Sequence, residues 1–277
     1  MPILCKRELV SHILVVTALV AGLFATAVPA GAQWLNYPNP ETPRTPDGKP
    51  NLVAPMAKTA DGKPSLSGIW TRVPPANLPR RPFGTPNNLV DWLASGSQIQ
   101  MQPWAEALFK ERLEKNLGGG RPSERCLPHG IPDAMLPGVN IKFVQTPGLT
   151  LLLYEEFNHY RQIFTDGRPF PDNDPQPTWF GYSVGKWDGD TLVVDSVGFN
   201  DQTWLDDSGH PHTDAMHTTE RFRRRDFGHM DLSVTIDDPK AYTKPWTVNI
   251  PLRLLPDTEL LEDVCDNERD AVHINVK

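Results

Sequence analysis

Between Ile141 and Leu254, apolar and polar residues alternate with a period of two, and this limits the chain to strands with one dry face and one wet face. Met230, Leu232, Val234 and Ile236 are interleaved with Asp231, Ser233 and Thr235. Trp246, Val248, Ile250, Leu252 and Leu254 repeat the pattern. Asp188-Gly189 joins the stretches Trp179–Trp187 and Thr191–Val197 as a hairpin turn, since both residue types tolerate the positive φ it needs. Thr150–Glu155 with His159–Asp166, and His217–Arg225 with Met230–Ile236, form further pairs, and Asp257-Thr258 leads into a last strand ending near Cys265. Adding Leu66–Val73 gives about eight to ten antiparallel strands in sequential hairpins, and such a meander loses its sticky edges by closing. The expected fold is mainly β, an antiparallel up-and-down barrel, with an open two-sheet sandwich as the alternative.

The flanking segments have other compositions. Lys6 and Arg7, the apolar run Ile13–Phe24 and Ala30-Gly31-Ala32 make residues 1–32 a signal peptide with a small-residue cleavage site. The apolar run is short for a membrane anchor. Residues 33–65 are proline-rich, carry the echo DGKPNL/DGKPSL at Asp47 and Asp61, and suit an extended arm. Residues 66–277 then form a single barrel domain with a helical insertion around 98–117. There Met101, Trp104, Ala105, Leu108, Phe109, Leu113 and Leu117 recur at helical spacing, and Gly118-Gly119-Gly120 ends the helix.

The 277-residue chain has formal charge −7; removing Lys6, Arg7 and Glu8 (net +1) with the leader leaves −8, which argues against a nucleic-acid partner. The expected location is periplasmic or extracellular, soluble after cleavage, with no stable membrane insertion. Cys126 and Cys265 remain after cleavage, and an even count in an oxidising compartment predicts one disulfide, with two buried free thiols as the alternative.

Gly68-x-Trp70 at the head of the meander resembles the lipocalin and wider calycin signature, which implies the closed barrel already expected from the alternation. The words GKWDGDTLVV, GFNDQTWLD, GHPH, TTERFRRRDFG and TIDDPKAYTKPW resemble a family of exported bacterial proteins. That likeness brings no activity with it.

Polar chemistry concentrates in Trp187–Arg225. His210-Pro211-His212 is held extended, because proline disfavours the helical region for the residue before it, so both imidazoles share a side about 6–7 Å apart. Such a pair suits a divalent metal ion, with His217, Asp207, Asp214 or Glu220 as a third ligand. A polar loop whose histidines cap turns is the alternative. Glu220 shares the side of inward Phe222 and must there be paired or protonated. Alternation puts Glu155, His159 and Arg161 on one side of a continuous strand; a turn at Phe157–Asn158 would break that register and leave only the His159/Arg161 pairing. Asp201, Asp206 and Asp207 can divide acid and base roles. Tyr160, Tyr182, Trp204 and Phe222 are the candidate ligand-binding rings. The G-x-S-x-G elbow, the H-E-x-x-H helix, the P-loop and the dinucleotide fingerprint are absent from the sequence.

Two functions fit these residues. The first is an exported enzyme acting on a small molecule by acid–base, metal-assisted or metal-free, chemistry of lyase, isomerase or hydrolase type. His159, His210, His212, Glu220 and Asp207 would handle protons and Arg161 would orient an anionic or carbonyl group. The second is a non-catalytic carrier of an apolar or aromatic ligand in the barrel.

Overall fold

A computed structural model describes residues 37–76, 78, 87–116, 120–172 and 176–265; the expected signal peptide lies outside them. The alternating stretches form nine strands: β1 (Gly68–Arg72), β2 (Ile141–Thr146), β3 (Leu149–Tyr154), β4 (Tyr160–Phe164), β5 (Tyr182–Asp188), β6 (Thr191–Val197), β7 (His217–Arg224), β8 (His229–Asp237) and β9 (Trp246–Leu254). Each pairs with its sequence neighbours, and β9 pairs with β1 to close the barrel. The expected strand toward Cys265 is replaced by a single bridge, Glu156 with Asp263, because β1 already occupies the free edge of β9.

One junction departs from a pure meander. Strands β4 and β5 run parallel, with Ile163 opposite Ser183. An odd ring cannot alternate direction all the way round, so nine strands require one such pair. A parallel neighbour needs a crossover in place of a tight hairpin, and residues 165–172 and 176–181, with Pro169 and Pro171, lie in it.

Strand directions define two ends. The base holds Gly68, the Asp188–Thr191 hairpin and Leu254; the rim holds Arg72, Tyr154, Val197 and His217. The interior is filled by side chains, among them Trp70, Phe143, Leu152, Ile163, Leu192, Phe222, Leu232 and Ile250. Phe143 and Phe222 meet edge-on across the ring, at 5.6 Å between centroids. Gly68 has φ +132°, and a Cβ there would lie 2.6 Å from Leu254 Cδ1, so both backbone and space demand glycine. Trp70 donates its indole N–H to Leu66 O (2.9 Å), and the Arg224 guanidinium lies 5.0 Å from its ring.

The described part of the proline-rich arm, from residue 37, lies against the base. Leu52 O accepts from Gly228 N and Ala54 O from Phe227 N, while Arg44 pairs with Asp257 at 2.7 Å. The sequence echo is a repeated turn. In both copies a threonine (Thr45, Thr59) hydrogen-bonds the aspartate two residues on and the lysine carbonyl four residues on.

The helix α1 (Pro103–Asn116) starts later than the expected residue 98. Pro103 sits at its first position, where a missing N–H costs nothing, and Met101 instead bridges Tyr242. Ala105 is buried and Leu108 and Phe109 are half-buried, whereas Trp104 and Leu113, expected on the packed face, are each 45% exposed. Trp104 still ties the helix down by donating its indole N–H to Lys240 O (2.8 Å). Leu117 lies outside the described residues.

Cys126 and Cys265 form the disulfide, with 5.5 Å between Cα atoms. It fastens the segment after β9 to the rim, where Leu261 N also donates to Glu155 Oε2 (3.3 Å).

Candidate functional site

Three connections meet at the rim: the long β1–β2 insertion, the β3–β4 turn and the β6–β7 loop. They approach closely because of small and kinked residues. Gly130 has φ +66°, and a Cβ on it would lie 2.8 Å from Thr203 Oγ1. Phe157 and Asn158 both take left-handed backbone (φ 55° and 53°), turning the chain sharply after Glu156. Asp206 anchors the β6–β7 loop. Its carboxylate accepts from Leu89 N (2.7 Å), Gly209 N (3.0 Å), His210 N (3.1 Å) and the His210 ring at Nδ1 (2.7 Å). Those four bonds occupy both oxygens, so Asp206 is a loop brace.

His129 sits at the centre of this junction and is 8% exposed. Its Nδ1 is hydrogen-bonded to the carboxylate of Glu156. Its Nε2 faces Asp207 Oδ1 at 3.6 Å and Asp133 Oδ2 at 3.9 Å, both too long for hydrogen bonds. Nε2 of His129 and Oδ1 of Asp133 are buried without a hydrogen-bond partner. Asp207 is positioned from its other oxygen, which accepts from Asn87 N (3.1 Å) and Asn87 Nδ2 (3.2 Å) and lies 3.7 Å from Arg121. Pro122, Ser123, Pro128 and Trp204 complete a small pocket over these groups.

The electrostatics are those of crowded acids around one base. Burial alone would lower the pKa of His129, but Asp133, Asp207 and Glu156 outweigh it and hold it well above the usual imidazole value. Burial pushes the Asp133 carboxyl well up, and nearby Asp207, Asp206 and Glu156 push the same way against His129. Asp207 goes down despite its own burial, because His129 stands beside it.

Of the residues singled out in the sequence, Asp206, Asp207 and Trp204 belong to this pocket. The expected metal pair does not converge with His217. The His210 ring is bonded to Asp206 and stacked on Phe109 at 4.2 Å; His212 lies between Thr203 Oγ1 (2.6 Å) and Thr213 O (3.2 Å). His217 stands on β7 beside Asp195 at 3.2 Å. Both loop imidazoles are therefore consumed in holding the β6–β7 loop. Tyr242 helps them, donating its hydroxyl to Pro211 O (2.7 Å).

Arg161 and Glu220 point inward as the alternation requires, but they pair with each other inside the barrel. Ser183 and Ser196 accept from the guanidinium as well, at 3.1 and 2.9 Å. Phe222 is interior core, Tyr160 is 62% exposed, and Tyr182 stacks on Phe164 at 5.1 Å. His159 is half-buried at the rim between Phe157 and Phe180, and burial lowers its pKa. Arg161 is buried and paired with Glu220 inside the barrel while His159 stays among the rim rings, so the two do not act together.

The residues not singled out beforehand are His129 and Asp133. A histidine and an aspartate four apart, inside the proline- and glycine-marked Pro128–Asp133 and near Cys126, was the available signal.

Fold and site thus define a closed, side-chain-filled β-barrel with a carboxylate–imidazole centre at its rim. No protein-family model matches the chain, and no curated protein is significantly similar to it.

Proposed function

We propose that this chain is an exported enzyme that transforms a small molecule by acid–base chemistry at the rim, in a hydrolase, lyase or isomerase step. The observation that carries the reading is His129, ringed by Glu156, Asp133 and Asp207, with a buried ring nitrogen that has no hydrogen-bond partner among the described residues. A polar atom left unpaired out of water costs roughly 1–3 kcal/mol, and native folds retain such sites chiefly where a ligand or reaction uses them. The disulfide supports export, since such bonds persist in oxidising compartments. No helix among the described residues is long and apolar enough to cross a membrane. Kinship with lipocalins draws support from Gly68 and Trp70, which open the first strand of the closed barrel.

The test is a screen of small esters, lactones, amides and phosphate esters with wild-type protein and the Asp207→Asn variant. Turnover should fall by about 10²–10⁴-fold in the variant. Turnover that is unchanged in folded Asp207→Asn would remove the rim cluster from the chemistry.

A carrier function is favoured by a different feature, a cavity of about 390 Å³ at the base lined by Tyr37, Ile69, Phe227 and Leu254. That volume suits a drug-sized ligand. Native mass spectrometry of protein purified under mild conditions decides it: a retained small molecule supports the carrier.

A further inference from the structure

We propose that His129, Asp133 and Asp207 bind one divalent transition-metal ion, zinc being the best match, in the rim pocket. The inference deepens the reading of this cluster as the reactive centre by naming its cofactor.

Four observations converge. First, one ligand atom from each of the three residues lies within 4.8 Å of the others. Second, the separations suit a shared ion better than they suit direct bonds. Two ligands about 2.0–2.1 Å from a tetrahedral zinc lie about 3.3 Å apart, and Nε2 of His129 stands 3.6 and 3.9 Å from the two carboxylates. Third, His129 Nε2, which faces the two carboxylates, is buried with no hydrogen bond among the described residues, as is Oδ1, the other oxygen of the Asp133 carboxyl. Fourth, Glu156 holds Nδ1 of His129. That contact is the carboxylate–histidine arrangement that fixes the ring and turns the lone pair on Nε2 outward to a metal.

Ligand type narrows the ion. Asp133 and Asp207 offer carboxylate ligands beside the imidazole, and Arg121 lies 3.7 Å from Asp207. An imidazole among the ligands favours zinc over magnesium or calcium, which take oxygen. Three protein ligands are the number that catalytic zinc sites use, and Ser123 and Trp204 line the same small pocket. His210 and His212 are not among these ligands, since their rings are taken up by Asp206 and Thr203.

The experiment uses the full chain, untagged and exported so that Cys126 and Cys265 are joined. Zinc is titrated into chelator-stripped protein by calorimetry, and metal content is measured by mass spectrometry. The expected result is one zinc per chain. Asp133→Asn, nearly the same shape, should weaken binding by more than about 100-fold, and Glu156→Gln by about 10–100-fold. Near-ultraviolet circular dichroism confirms that each variant is folded, and a zinc-edge anomalous peak between His129 and Asp207 gives a second readout. Folded wild-type protein that takes up no zinc, or equal uptake by Asp133→Asn, overturns the proposal. Zinc bound at this site without turnover of any substrate supports the ion and removes the enzyme reading. Turnover undiminished in stripped protein overturns the ion and leaves the enzyme.

Discussion

Arg161 on β4 grips both carboxylate oxygens of Glu220 on β7, across a distance of 59 residues in sequence and entirely inside the barrel. The Oε1 contact is 3.0 Å, and Ser183 and Ser196 accept from the same guanidinium. Burial opposes the charge on Arg161, but Glu220 outweighs it and raises its pKa.

Breaking that pair from one side strands a buried charge. Glu220→Ala should destabilise the protein by about 3–5 kcal/mol, whereas Arg161→Met/Glu220→Leu together should recover most of the loss. Urea unfolding of the three variants measures this. A single variant within about 0.5 kcal/mol of wild type would mean that water reaches the site.

The disulfide closes a loop of 139 residues. Cys126→Ser/Cys265→Ser should cost about 2–5 kcal/mol, read as a lower melting temperature. Reductant should lower the wild type to the same value and leave the double variant unmoved. Equal melting with and without reductant would show that the bond adds nothing.

His212 is buried and its pKa is lowered, burial being the larger cause. The folded chain therefore keeps it neutral to lower pH than the unfolded chain does. Its contribution is complete above the ordinary imidazole value, about 6.5, and is lost as pH falls from there through the folded pKa. His212→Gln should flatten the fall in stability below about pH 6.5, compared with wild type in the same buffers. Parallel pH curves for the two proteins would contradict this.

Gly68→Ala should destabilise by about 1–3 kcal/mol. The new Cβ meets Leu254 Cδ1 on β9, and φ +132° suits no side chain. Gly189→Ala is the control: its φ is also positive, at +60°, but the space around it is open. Its cost should be the smaller of the two, and denaturant midpoints compare them.

The strands were legible because alternation is local. Thr191–Val197 and Trp246–Leu254 have the expected boundaries, and the burial of Glu220 beside Phe222 followed from parity alone. Ring closure was expected from edge avoidance, but the parallel β4–β5 junction was not, because direction depends on where the crossover re-enters. The rim site was the least legible part. His129 and Asp207 are 78 positions apart, in loops without periodicity, and a neighbour across such a gap leaves no mark on either segment. The His210-Pro211-His212 word was conspicuous for the opposite reason, being wholly local, and its rings went to Asp206 and Thr203, which are local too.

Closure by β9 on β1 and the bond from Cys126 to Cys265 share a consequence for timing. The first strand waits for the ninth, and the first thiol for a partner 139 residues downstream. Contacts that remote make folding slow. During that interval the rim loops hang from an unfinished ring with one uncommitted thiol beside them. Conditions that mispair that thiol early should lower yield without touching the stability of molecules that finish.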